Sequence, residues 1–283
     1  MQKQTKTILV DAAIGLVLTA GVLGSYALRG RFLESLEMKA YDMRSSLRQS
    51  LDAGADAIAI VAIDEDSIAR LGRWPWPRTR LAEMLDLLAA AGPKVIGLDI
   101  ILSEPEQNQG LIEVRNLQAQ YDALVAGRQI VEKGVAFSQE FSSATVRLDS
   151  DTRFLQSLAA AGSVVLPIYF SPEGARSAKA DPLPPAASSS TLSLEVVQDG
   201  QGGELLSENK AVTPVEAFTQ AARGIGHISV YPDDVDGVVR REYPAVKYGD
   251  EILPSYALQL VLRYLGYEPA DAKFTPGRSV SFG

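Results

Sequence analysis

The chain has 283 residues, of which 46% are apolar and 22% charged, so it is neither a disordered nor a fibrous protein. It contains no cysteine and a single histidine, His227, which excludes disulfides, thiolate metal sites and polyhistidine metal centres. The net charge of −8 argues against a nucleic-acid partner, because affinity for the phosphate backbone comes from Lys and Arg. Composition therefore indicates a folded, acidic protein that does not bind nucleic acid.

A nearly continuous apolar run, Ile8 to Leu28, lies close to the N-terminus and is interrupted only by Asp11. Its length is what an α-helix needs to cross about 30 Å of hydrocarbon. The alternatives are a buried helix and a cleaved signal peptide, for which Ser25-Tyr26-Ala27 is an acceptable cleavage site. Because the apolar core is long for a signal peptide, we expect a retained transmembrane anchor at 8–28 after a cytoplasmic tail at 1–7.

Residues 29–48 are predicted to form a juxtamembrane helix that continues from this anchor. Four apolar residues in it recur at helical spacing and form one stripe: Leu36, Ala40, Met43 and Leu47. Such a stripe either packs on the following domain or pairs with a copy of itself. More basic residues follow the apolar run than precede it, which taken alone would place the bulk of the chain in the cytoplasm. Because Glu34, Glu37 and Asp42 lie among them, the charge rule does not decide the orientation.

From residue 49 onwards, strand-like and helix-like segments alternate. Ile58–Ile63 and Val95–Ile101 have the continuous apolar character of strands buried on both faces. Between them, a short helix is expected over Asp66–Leu71 and a longer one over Arg80–Ala91, which ends at Gly92-Pro93. This order predicts a βαβ unit with parallel strands.

The remaining pattern completes an α/β fold. Further helices are expected over 111–126, 154–161, 209–222 and 255–265, and strands over 134–137 and 164–170. Pro167 places the last strand at an edge or a bulge, and Asp236-Gly237 between two apolar runs predicts a hairpin. Residues 171–191, rich in Ser, Pro and Ala, are expected to be a surface insertion. The predicted class is a mixed, largely parallel sheet flanked by helices, with an antiparallel C-terminal hairpin.

Two aspartates, Asp64 and Asp99, each follow a predicted parallel strand. Ligands of open α/β sheets bind beyond such strand ends, where two carboxylates could hold a metal, bind a cationic ligand or act as an acid/base pair. The alternative is that each carboxylate caps the following helix or turn. The sequence offers no third metal ligand, and it has no phosphate-binding loop, serine nucleophile elbow or kinase signature.

Both tryptophans of the chain lie in the segment Trp74-Pro75-Trp76-Pro77-Arg78. Its two prolines hold the backbone extended, so that the rings can project as a lid or a docking patch. The alternative is that the rings simply cover the end of the core. His227, within an apolar strand, is expected to be a partly buried side chain with satisfied hydrogen bonds, and the alternative is a pH-sensitive contact.

Several blocks of the sequence carry a family resemblance: Leu36–Arg44, Ile63–Ser67, Gly72–Arg78, Gly97–Ile100, Gly226–Ser229, Asp236–Arg241 and Leu253–Ala257. Behind an apolar N-terminal helix, these blocks resemble the second type of CHASE domain, the extracellular sensor attached to cyclases, histidine kinases and related outputs. The resemblance implies a periplasmic or extracellular sensory domain over 49–283 at the inner membrane, with no catalytic residues and no cofactor. It also implies an output, such as an adenylate or guanylate cyclase or a kinase, beyond this chain.

We therefore expect a sensory fragment, since no second apolar span follows the domain, with an unknown small-molecule or protein stimulus. Candidate ligand contacts are Asp64, Ser67, Trp74, Trp76, Arg78 and Asp99, and no metal-binding residue is expected. A homodimer at the membrane is the expected assembly, with ligand occupancy passing through residues 49–57 to the preceding helix. Two rival functions are a membrane-anchored hydrolase that uses Asp64 and Asp99, and a binding module without signalling.

Overall fold

The computed structural model describes residues 2–27, 31–48, 57–126, 134–171, 179–194 and 205–282. The chain divides into two compact units. The first, called here the helical unit, comprises Met1–Ile63 and Val230–Glu242. The second, called here the α/β unit, comprises Asp64–Ser229 and Tyr243–Gly283.

Helices and strands alternate through the described residues. The helices are α1 (Gln2–Ala27), α2 (Arg31–Ser46), α3 (Glu65–Leu71), α4 (Arg78–Ala90), α5 (Gln109–Ala126), α6 (Gly134–Leu148), α7 (Ser150–Ala161), α8 (Pro185–Ser188), α9 (Glu216–Ala221) and α10 (Tyr256–Leu265). The strands are β1 (Ile96–Gly97), β2 (Val164–Phe170), β3 (Ser193–Leu194), β4 (Ser207–Glu208), β5 (Ala211–Val212), β6 (Gly224–His227), β7 (Ala245–Tyr248), β8 (Glu251–Pro254), β9 (Lys273–Thr275) and β10 (Ser279–Ser281). The mixed α/β class is confirmed.

The main sheet of the α/β unit is built around β2. This strand runs parallel to β1 and β6 and antiparallel to β5, with Ile96 opposite Val164 and Ile168 opposite His227. Helices α4 and α7 cover the sheet, and the ring of Phe154 on α7 meets that of Phe218 edge to face at 5.0 Å. Two smaller three-stranded sheets complete the unit, in the orders β4-β7-β8 and β10-β9-β3.

Local signals place several helices where the sequence predicts them. Helix α3 begins after its Asp64 cap and ends at Gly72, and α10 begins after the Ser255 cap and ends at Gly266, which has a left-handed backbone. Helix α7 ends at Gly162 in the same conformation. These helices depend on capping residues within one turn of their ends, so they can be predicted from a short stretch of sequence.

The predicted strand Ile58–Ile63 does not form, and with it the predicted βαβ unit is wrong. Among the residues that the structure describes, none pairs with this segment, and the side chains of Ile58 and Ile60 are 73% and 89% exposed. An apolar run favours a strand only where a neighbouring strand supplies hydrogen bonds. In the structure, β1 takes its parallel partner from β2 instead.

Pro167 does not mark an edge or a bulge, because β2 is the central strand of its sheet. Strand β1 pairs with β2 only as far as Val165, and β5 begins to pair at Tyr169. The odd-numbered residues of β2 direct their backbone groups toward this side, as the bonds of Val165 and Ser171 show. Pro167 therefore lies in the gap between two neighbours, where its missing N–H breaks no ladder bond.

Four further predictions are corrected by the structure. Residues 134–137 lie in the first turn of helix α6 and not in a strand. No hairpin forms at Asp236-Gly237: β6 pairs with β2, and β7 pairs with β8 through the next turn, at Gly249-Asp250. The predicted helix 209–222 shortens to α9, after β5. Within 171–191, residues 172–178 lie outside the described residues, while Ala187 and Ser190 pack in the interior.

Helix α1 occupies most of the segment expected to be a transmembrane anchor. Among the helices of the described residues, none is sufficiently long and apolar to cross a membrane, so the structure does not support the expected span. The span was predicted over 8–28, and the side chains at 8–11 and 25–28 lie outside the described part of the chain.

Candidate functional site

Asp64 and Ser67 together form the cap of helix α3. The Asp64 carboxylate accepts hydrogen bonds from the Ser67 backbone N–H at 2.8 Å and from its hydroxyl at 2.6 Å. These two bonds, the hydroxyl bond first, lower the pKa of Asp64 below its usual value. The carboxylate is thus ionised and exposed, and its observed partner is the end of a helix, as the capping alternative predicts.

The two tryptophans fold back onto the end of the same helix. Their rings meet edge to face, with centroids 5.6 Å apart. The indole N–H of Trp76 donates to the backbone carbonyl of Gly72 at 2.7 Å, and the Trp74 ring packs against the main core. Both side chains are half-buried, so each of them combines a packing role with a face open to solvent.

Arg78 is 8% exposed, and its partners lie within the chain. Its guanidinium donates to the Asp151 carboxylate and to the Glu104 carbonyl, and lies 5.0 Å from the centre of the Phe218 ring. Its backbone N–H donates to the Glu106 carboxylate at 2.7 Å. A ligand would have to displace these partners, because they join helix α4 to α7 and to the loop at 104–106.

Asp99 lies two residues beyond β1 and is exposed. A Cβ atom at Gly97 would come within 2.8 Å of the Tyr256 hydroxyl. The absence of a side chain at Gly97 therefore leaves room for the tyrosine beside β1. Burial raises the pKa of Tyr256, and the negative charge of Asp99 raises it further. The Tyr256 phenol therefore stays protonated at neutral pH, and the negative charge of Asp99 contributes to this.

The structure does not bring Asp64 and Asp99 to a common strand edge. That expectation depended on a strand at 58–63, which does not form. Among the residues that the structure describes, no group of three or more His, Asp or Glu side chains could hold a metal ion. The six candidate contacts thus divide into two kinds. Trp74 and Arg78 pack against the main core, while Asp64, Ser67, Trp76 and Asp99 keep exposed surface.

In the part of the chain that the structure describes, two buried polar side chains make no hydrogen bond of normal geometry. They are His227 on β6, which is 2% exposed, and Gln259 on α10, which is fully buried. Burial lowers the pKa of His227 to about 4, and the backbone of Tyr243 opposes this shift only in part. His227 is thus more deeply buried than the sequence predicted, and the expected hydrogen bonds of normal geometry are not made.

Sequence analysis missed a cluster in the helical unit formed by Asp42, Asp236 and Arg240. The Arg240 guanidinium donates to both carboxylates, and its side chain is only 8% exposed. The three residues lie in two of the blocks that carry the family resemblance. Their opposite charges could have suggested an ion pair. Charge alone, however, does not identify two partners that lie 198 residues apart in the sequence.

Two open cavities lie in the α/β unit. One, of about 350 Å³, is bordered mainly by apolar side chains, among them Leu206, Tyr243 and Phe274. The other, of about 460 Å³, is bordered by the loop that holds Arg78, including Glu104 and Glu106. None of the six candidate contacts lines either cavity.

The described residues form a mixed α/β protein, with sheets flanked by helices in the α/β unit. Residues 13–281 match the family model of the CHASE2 domain, which covers nearly the whole chain. The chain therefore belongs to the CHASE2 family, a family of extracellular-type sensory domains. Comparison with curated proteins found no match, and neither did comparison with solved structures.

Proposed function

We propose that the chain is the extracytoplasmic signal-input domain of a bacterial transmembrane receptor. It receives a small-molecule or protein stimulus and passes it to a cytoplasmic output, such as an adenylate or guanylate cyclase or a kinase. The observation that carries this proposal is the CHASE2 match over 13–281, because sensory domains of this kind act by controlling an attached output. No chemistry is assigned to the domain itself.

The stimulus contacts are proposed to involve the exposed members of the candidate set. Asp64 presents an ionised carboxylate at the start of α3, and Trp76 presents a half-buried ring just beyond its end. Asp99 presents a second carboxylate close to β1. Carboxylates and an amphipathic ring suit a ligand with a cationic or polar group and an apolar face.

Helix α2 is proposed to pair with the α2 helix of a second copy. Its four-residue stripe follows steps of four and three residues, the spacing of a coiled-coil seam. Leu36, Met43 and Leu47 are 48%, 63% and 76% exposed, which leaves the stripe accessible to a second copy and supports the pairing. A continuous apolar seam on one helix face is self-complementary in a symmetric dimer.

The half-buried residues of α2 lie on its other face. At about 3.6 residues per turn, Glu34, Ser35 and Met38 point away from the apolar stripe, and Asp42 lies on their side. This second face is the one that meets the chain's own Val230–Glu242 segment, through Asp42. In this proposal, α2 uses one face to contact the Val230–Glu242 segment and the other to pair with a second copy, so both contacts can be made at once.

Reporter fusions test the proposed location. Alkaline phosphatase or green fluorescent protein is joined after Gly283 of the full chain in a bacterial host. The proposal predicts an active phosphatase and a dark fluorescent protein. The matched control joins the same reporters to a chain that begins at Arg31, which should give the opposite pair of results. A fluorescent, phosphatase-inactive fusion of the full chain would contradict an extracytoplasmic domain.

A further inference from the structure

The segment Val230–Glu242, called here the strap, connects β6 to β7 yet belongs to the helical unit. Near the end of the strap, Arg240 donates hydrogen bonds to Asp42 of helix α2. The Arg240 Nε lies 2.7 Å from Asp42 Oδ1, and its Nη2 lies 2.8 Å from Asp42 Oδ2. Two parallel bonds between a guanidinium and a carboxylate fix orientation as well as distance. The strap therefore holds α2 by a directional contact.

The strap supplies a second carboxylate for the same arginine. Asp236 accepts from Arg240 Nη1 at 2.8 Å and from Nη2 at 2.6 Å. Its position is set by a tight turn, in which Gly237 N–H donates to the Asp233 carbonyl at 2.8 Å and Val238 N–H donates to Asp236 at 3.1 Å. The arginine lowers the pKa of Asp236 to about 2, so the pair stays charged in mildly acidic solution.

Because of this arrangement, Arg240 would keep one carboxylate partner if its contact with α2 opened. When Asp42 leaves, Asp236 still neutralises Arg240, so the strap is not left with an unpaired, half-buried cation. The carboxylate that is released, Asp42, already has a side chain that is 49% exposed and returns readily to water. A guanidinium that bonded to Asp42 alone would be left without a carboxylate partner when that contact opened.

Both ends of the strap are fixed within the α/β unit, the first at β2 of the main sheet and the second at the start of α10. Before the strap, Ser229 Oγ accepts from the Phe170 N–H at 2.8 Å, at the carboxyl end of β2. After the strap, the Pro244 carbonyl accepts from the Ser255 N–H at 2.8 Å, at the start of α10. Ligands of parallel α/β sheets bind at these carboxyl ends. A ligand at the carboxyl end of β2 would therefore lie close to Ser229, the residue that precedes the strap.

We propose that the strap is a detachable coupling between the α/β unit and helix α2, closed by the Arg240–Asp42 contact. The coupling runs through the strap and not only through residues 49–57, the connection that the sequence suggested. The purpose of the coupling, transmission of a stimulus, rests on the proposed sensory function. The coupling itself is a property of the chain and is tested without any output.

Amide hydrogen exchange of the full chain, measured by mass spectrometry, tests the coupling. Arg240→Gln and Asp42→Asn should each speed exchange by about tenfold or more in both the strap and residues 33–46. Asp236→Asn should speed exchange only around the turn at Asp236, because Asp42 still holds Arg240. Arg241→Gln removes the same charge from an exposed neighbour and should change neither segment.

Exchange in β2 serves as the folding control, because this strand is the centre of the core and should be unchanged in every variant. If Arg240→Gln disturbs β2 as well, Arg240→Lys replaces it, which keeps the charge and loses the two-point geometry. Faster exchange of the strap with unchanged exchange over 33–46 would overturn the coupling. So would an equal response to Arg241→Gln.

Discussion

Arg78 and Asp151 lie 73 residues apart in the sequence, and their side chains form an ion pair at the junction of α4 and α7. The arginine side chain is 9% exposed and that of the aspartate 27%. Glu104 and Glu106 complete the cluster through a carbonyl and a carboxylate. The arginine of the tryptophan-proline segment therefore holds the loop before α5 in place, whatever else that segment contacts.

Replacement of Arg78 by Gln should destabilise the α/β unit by about 3–5 kcal/mol, because it leaves a partly buried carboxylate without its cation. Arg80→Gln is the matched control: it breaks an exposed pair with Glu83, which contributes at most about 1 kcal/mol. Urea unfolding of both variants measures the difference. Equal losses of stability would contradict the structural role of Arg78.

The two tryptophans should differ in their effect on stability. Trp74→Ala removes a ring that packs against the main core and should cost about 2–4 kcal/mol, less than a fully buried tryptophan. Trp76→Ala loses one hydrogen bond, to Gly72, and the edge contact with Trp74, for about 1–2 kcal/mol. Urea unfolding of the two variants is the measurement. Unchanged stability of both would mean that the segment serves contact and not packing.

His227 should make the protein less stable in acid. The unfolded chain takes up a proton near the usual pKa of 6.5, whereas the folded protein resists it down to about 4. Stability therefore falls as the pH drops between these values, by up to about 3 kcal/mol. Unfolding free energies across this range should fall less steeply in His227→Leu. Identical slopes in wild type and variant would contradict a buried, neutral histidine.

Cysteine cross-linking tests the proposed pairing of α2, and the absence of native cysteine makes every introduced thiol unique. Leu36→Cys and Met43→Cys lie on the apolar stripe and should cross-link between two chains. Ser45→Cys is equally exposed but lies on the opposite side of the helix, so it should not. Equal cross-linking at all three positions would indicate random collision and not a seam.

Helices could be predicted from the sequence because their signals are local. Asp64 and Gly72 bound α3, and Ser255 and Gly266 bound α10, each within one turn of the helix end. Strand pairing depends on distant chain. Ile58–Ile63 has the composition of a buried strand, but only its neighbours in space decide whether it joins a sheet, and no described strand pairs with it. For the same reason the central position of β2 could not be predicted, and Pro167 suggested an edge strand or a bulge instead.

The candidate site could be predicted only in part, for a similar reason. The tryptophan-proline segment was found because its composition is unusual, and the Asp64 cap was found as an alternative to ligand binding. The partners of Arg78 come from 26, 28 and 73 residues away and carry no local mark. The Arg240–Asp42 contact joins still more distant segments. Pairings of this kind are set by the fold and not by spacing in the sequence.

The central claim is that this CHASE2 domain is a sensory input whose state reaches an output through helix α2. The most direct test is the output of the full-length receptor, compared between wild type, Arg240→Gln and the matched Arg241→Gln. With equal amounts of protein at the membrane, we expect Arg240→Gln to change the basal output and Arg241→Gln to leave it at the wild-type level. Wild-type output in Arg240→Gln, with exchange over 33–46 shown to be faster, would contradict the claim.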